Sequence, residues 1–164
     1  MPCIGTWSAN RALSAVLRIL LRVIEAHLIQ GSGAGAQPRF GAVSFIHRGG
    51  ASLNRHVHYH CRVIDGVFEL VEEADDGPPS VRFRAAAELT PDAVGAITEQ
   101  VRIRVLRWFA RSGQIERDDV REMLAWEYSG FSLDAAVHVA AHERAGLERL
   151  LSHFGGAVDV RFCE

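Results

Sequence analysis

Lysine is absent from this chain of 164 residues, and all eighteen of its basic residues are arginine. That bias reads as the codon usage of a GC-rich genome, and it does not count against phosphate contact, because arginine binds phosphate bidentately. Excess positive charge is also lacking. The formal net charge is −2, so affinity for a polyanion would have to come from a local basic patch. Cysteine is scarce: Cys3, Cys61 and Cys163 are odd in number and widely spaced, without a Cys-x-x-Cys pair. Neither a disulfide framework nor a zinc ribbon is indicated. The apolar stretch 12–29 is broken by Arg18, Arg22 and Glu25, which argues against a membrane span. The amino end lacks a basic segment followed by an apolar core, so no secretory signal is expected and a cytoplasmic location is the default. Repeats and heptads are missing too, and the tyrosines are Tyr59 and Tyr128.

What remains is ordinary for a folded domain. Hydrophobic residues make up 48% and charged residues 23%, and the length suits one domain with a substantial core. Leu13, Val16, Leu17, Leu20, Leu21, Ile24 and Leu28 mark one face of a helix starting near Asn10 and ended by the Gly31–Pro38 tract. Residues 40–47 and 55–64 read as strands, and Asp65-Gly66 predicts a tight hairpin into Val67–Val71. A surface loop over 72–80 and a short strand at 81–84 follow. Thr90-Pro91-Asp92 combines a capping hydroxyl, a first-turn proline and an acid at the positive end of the dipole. That helix should run through Val94, Ile97, Val101, Val105, Trp108 and Phe109 to a stop at Gly113. Residues 117–125 and 142–151 read as helical and 131–139 as a strand. The class expected from the pattern is α+β.

The most distinctive segment is Asn54-Arg-His-Val-His-Tyr-His-Cys-Arg-Val-Ile-Asp-Gly66. His56, His58 and His60 alternate with Val57, Tyr59 and Cys61, so on a strand the three imidazoles share one face. Their Cα atoms would be roughly 6.5–7 Å apart, close enough for two imidazoles to converge on one ion. Imidazole suits manganese, iron, nickel or zinc better than it suits magnesium or calcium. The alternative is a strand face that merely happens to be rich in histidine, and three histidines in register favour the metal site. Tyr59 alternates to the opposite face and reads as core. Arg104, Arg107 and Arg111 fall on one face of the Pro91 helix. Their reading is divided between a solvated helix face and a phosphate-binding stripe for DNA.

The longer text resembles a known family. His-hydrophobic-His on a strand is the signature of the HUH endonucleases, which nick single-stranded DNA. Gly41-Ala-Val-Ser-Phe-Ile-His-Arg48, Ser52-Leu-Asn-Arg-His-Val-His-Tyr-His-Cys61 and Val63-Ile-Asp-Gly-Val-Phe-Glu69 look like the rolling-circle transposases of bacterial insertion sequences, of the insertion-sequence-ninety-one kind. Val105-Leu-Arg-Trp-Phe-Ala-Arg111, Glu116-Arg-Asp-Asp119, Gly130-Phe-Ser-Leu-Asp-Ala-Ala-Val137 and Ala145-Gly-Leu-Glu-Arg-Leu-Leu151 agree. The resemblance implies an antiparallel sheet carrying the histidine strand and covered by helices. It implies His58 and His60 as ligands of a divalent ion, magnesium or manganese, with His56 as a further ligand or a supporting partner. It also implies single-stranded DNA at element ends as partner. In the family the metal positions a scissile phosphate, and a tyrosine hydroxyl attacks it to leave a phosphotyrosine-linked 5′ end.

Departures from the family pattern shape the remaining expectations. The nucleophilic tyrosine would follow Gly146–Leu151, where this chain reads Ser152-His-Phe-Gly-Gly-Ala-Val-Asp-Val-Arg-Phe-Cys-Glu164 and places His153 instead. Tyr128 lies in a segment the family does not use for attack. The resemblance therefore divides the chain into an unmatched amino end 1–10, a catalytic-domain fragment 11–151 and a divergent tail 152–164 of frameshift character. No cysteine-rich zinc module precedes the match. These features describe an incomplete transposase without its nucleophile. The alternatives are a non-catalytic single-stranded-DNA-binding regulator and a metal-binding protein with no DNA function.

Overall fold

The computed structural model describes residues 4–35, 37–48, 57–71, 80–126, 130–140, 142–146, 148 and 158–162. In chain order they form α1 (Ile4–Ser32), β1 (Ala42–Arg48), β2 (Val57–Val63), β3 (Gly66–Val71), β4 (Ser80–Ala85), α2 (Pro91–Arg111), α3 (Arg117–Ala125), β5 (Phe131–Asp134) and β6 (Val158–Phe162). Two antiparallel sheets result, one of four strands in the order β1-β2-β6-β5 and one of two, β3-β4. The class is α+β, as the sequence pattern predicts.

Local chemistry accounts for most of the boundaries. The α1 stripe buries Val16, Leu20, Ile24 and Leu28, with Leu13, Leu17 and Leu21 packed around them. The helix begins at Ile4, before the expected Asn10. It ends where Gly33 takes a φ of 59°, a left-handed conformation that a Cβ would oppose. Thr90 caps α2, its hydroxyl oxygen accepting from the Ala93 N–H at 3.2 Å. Burial joins Val16, Leu20, Val23, Ile24 and Leu28 of α1 to Ile97, Val101 and Val105 of α2, Tyr59 and Cys61 of β2, and Val67 of β3. At roughly 1.5–3 kcal/mol for each fully buried large apolar side chain, this cluster is the main source of stability. It places both long helices on the Tyr59 side of β2.

Two expectations change, and one element comes from a segment for which none was expected. The Asp65-Gly66 turn is not a β2–β3 hairpin. β1 and β6 occupy the two edges of β2, so β3 has no free edge there and pairs with β4 from Gly66↔Ala85 to Val71↔Ser80. Asp65-Gly66 is instead the corner between the sheets, and a Cβ at Gly66 would collide with the Arg84 carbonyl oxygen. The strand expected over 131–139 stops at Asp134, whose carboxylate accepts from the Ala136 N–H at 2.9 Å and turns the chain away. The segment 152–164, set apart as divergent, supplies β6, which runs between β2 and β5. Of the expected helix over 142–151, residues 144–146 and 148 are helical; residues 147 and 149–151 lie outside the described residues, as does the loop over 72–79.

Candidate functional site

The strand β2 separates two chemistries by simple alternation. Tyr59 and Cys61 point into the core with 1% and 0% exposure. His58, His60 and Arg62 alternate to the other face and are half-buried. Tyr59 is held there by its hydroxyl, which donates to the Leu13 carbonyl at 3.0 Å. The Ser44 hydroxyl donates to the Cys61 sulfur at 3.2 Å. Burial pushes the Cys61 thiol above its ordinary pKa, so it remains protonated and is a poor metal ligand or nucleophile.

On the opposite face the His58 and His60 rings lie edge to face, their centroids 4.9 Å apart and their planes at 79°. Two imidazoles sharing one ion at about 2.1 Å per Zn–N-type bond would have centroids roughly 4.5–5.2 Å apart. The observed spacing falls within that range. The Nδ1 atoms of both rings are shielded from solvent. The ladder sets Phe45 opposite His60 and His47 opposite His58 on β1, and Asp159 opposite His60 and Arg161 opposite His58 on β6. The Arg62 guanidinium stacks over the Phe45 ring at 5.4 Å, closing one border of this face.

The other expected site residues are distributed differently. His56, Tyr128 and His153 lie outside the described residues. Among the described residues no group of three His, Cys, Asp or Glu side chains is placed to hold a metal, so His58 and His60 are the imidazole pair brought together. Arg104, Arg107 and Arg111 are all exposed on α2. Arg102 on the same helix is not: it is 8% exposed. Its Nε and Nη2 donate to the Glu99 carboxylate at 2.8 and 2.9 Å. Its Nη1 and Nη2 donate to the Met123 and Leu124 carbonyls at 3.1 and 3.2 Å. One guanidinium thus completes the carboxyl end of α3 and joins it to α2. The sequence signal for this is Glu99-x-x-Arg102 lying beside the buried Val101 and Val105. None of the described helices is long and apolar enough to cross a membrane.

Comparison with known proteins places this histidine strand in context. No match was found among curated proteins or among solved structures. A family model described as "Putative transposase" matches residues 41–158, more than half of the chain. The match runs from the start of β1 to the start of β6 and includes the whole of the His58–His60 strand. The chain belongs to this transposase family, whose partner is DNA.

Proposed function

We propose that this transposase handles single-stranded DNA at element ends, with His58 and His60 holding one divalent ion, magnesium or manganese, on the face of β2 opposite Tyr59. The observation that carries the reading is the pair of half-buried rings 4.9 Å apart on one strand face, within a chain of the transposase family. A bound ion would polarise a phosphate oxygen as a Lewis acid. The protein's part is to fix the two imidazoles. Tyr59 between them is anchored in the core, and the β1 and β6 ladders hold the strand from both edges. His56 would serve as a further ligand or a support.

Strand transfer by tyrosine needs a hydroxyl beside the metal-bound phosphate. The Tyr59 hydroxyl is on the opposite face and is already donated to Leu13. This favours binding and positioning of the strand over attack by Tyr59, and the expected behaviour is DNA binding without a covalent adduct.

A labelled single-stranded oligonucleotide tests both parts. Manganese should strengthen binding, and the His58→Ala, His60→Ala variant should lose that gain. Equal metal dependence in both proteins would sink the site. On a denaturing protein gel no label should migrate with the protein. A labelled band that disappears in Tyr128→Phe would make Tyr128 the nucleophile and overturn the non-cutting reading.

A further inference from the structure

We propose that Arg107, Arg111 and Arg117 together form a phosphate-binding cleft that grips the DNA backbone, a proposal that rests on the DNA reading above. The cleft has a volume of about 260 Å³ and is lined by Arg107, Ala110, Arg111, Arg117 and Val120. Two of its guanidinium groups come from α2 and one from the first turn of α3. All three arginines are exposed, and among the described residues none of them is in an ion pair. Ala110 and Val120 form a small apolar floor. Three planar forks around such a floor suit the oxygens of a phosphodiester, which arginine binds bidentately.

The two helices that carry the cleft are joined at the far end of α3. Buried Arg102 ties α2 to the Met123 and Leu124 carbonyls of α3, and Val120 of α3 is buried at 6% exposure. The three arginines are therefore presented on two helices whose relative position is already set, which lowers the ordering cost of binding. Glu116, Asp118 and Asp119 line an adjoining cavity that shares Ala110 and Arg117 with the cleft but do not line the cleft itself, and Asp118 is paired with Arg121. Arg104 shares the exposed side of α2 but does not line the cleft. The functional unit is thus the three-arginine cleft rather than the stripe Arg104, Arg107, Arg111, and Arg117 is its new member.

The test is the salt dependence of binding to a twenty-nucleotide thymidine strand. Each phosphate that the protein no longer neutralises should flatten the slope of log K against log salt by about 0.7. The triple variant Arg107→Gln, Arg111→Gln, Arg117→Gln should weaken binding about tenfold or more and flatten the slope, because it removes the charge-assisted pairs. Arg104→Gln should match wild type in both. An unchanged slope in the triple variant, or an equal weakening in Arg104→Gln, would overturn the cleft. If the triple variant keeps its slope while the histidine variant loses its metal dependence, the cleft fails and the metal reading stands. If wild type binds no DNA, both fail. Heat from inorganic phosphate that the triple variant abolishes, with DNA binding untouched, would assign the cleft to small phosphates and overturn its DNA role.

Discussion

The Tyr59 hydroxyl donates to the Leu13 carbonyl at 3.0 Å, 46 residues away in sequence, and this bond adds to the core packing that holds the Tyr59 face of the histidine strand against α1. With Tyr59 pinned to α1, strand alternation requires His58 and His60 to face the other way. Replacing Tyr59 by Phe keeps the packed ring but removes the bond, and should cost about 1 kcal/mol in urea unfolding. Manganese binding should be unchanged. A Tyr59→Phe protein of full stability that had lost its metal affinity would place Tyr59 in the site.

Arg102 should be far more sensitive than the exposed arginines of α2. Arg102→Leu removes the donor to two carbonyls of α3 and leaves Glu99 alone, and should cost about 2–3 kcal/mol. Glu99→Gln, at a carboxylate about half exposed, should cost less than about 1 kcal/mol. Denaturation midpoints of the two variants decide the order, and a larger destabilisation in Glu99→Gln would contradict the capping role.

Acid stability should report Glu69. The Arg84 guanidinium, donating at 2.6 Å, and the Gly35 N–H, donating at 3.1 Å, hold this carboxyl below the ordinary glutamate pKa. A depressed folded pKa stabilises fully above the unfolded value of about 4.3, and the stabilisation is lost as pH falls through the lower folded value. Glu69→Gln should therefore melt below wild type at about pH 6, with the gap closing as the pH falls below about 4. A gap that widens toward acid would contradict this linkage.

The middle of the sheet is the fourth test. Val160 is paired with Tyr59 on one side and Leu133 on the other. Val160→Pro removes a backbone donor from an interior strand and should cost about 3 kcal/mol or more. A melting temperature equal to wild type would remove β6 from the sheet.

Elements governed by local chemistry are legible in the sequence. The α1 stripe, the Thr90-Pro91-Asp92 start and the His58–Cys61 alternation all depend on neighbouring residues, and the fold follows them. Partner choice is a different matter. Asp65-Gly66 carries a strong turn signal, but which strand β3 pairs with depends on which edges of β2 are already taken. β6 escapes a sequence reading although Val158-Asp-Val-Arg-Phe162 has a period-two pattern, because its segment departs from the family text. For Arg102 the Glu99-x-x-Arg102 spacing signals the pair with Glu99, but not the contacts with the Met123 and Leu124 carbonyls, which belong to another helix. That His58 and His60 share a strand face is legible in the alternation; the way Arg117 joins Arg107 and Arg111 depends on the packing of α2 on α3.

The central claim, a divalent ion on the His58–His60 face, is tested most directly by isothermal titration of the protein with manganese. Wild type should bind one ion per chain. The double variant His58→Ala, His60→Ala should lose most of the heat, while His56→Ala should lose less. Undiminished binding in the double variant would contradict the account, because the two rings that stand 4.9 Å apart on β2 would then have no part in holding the metal.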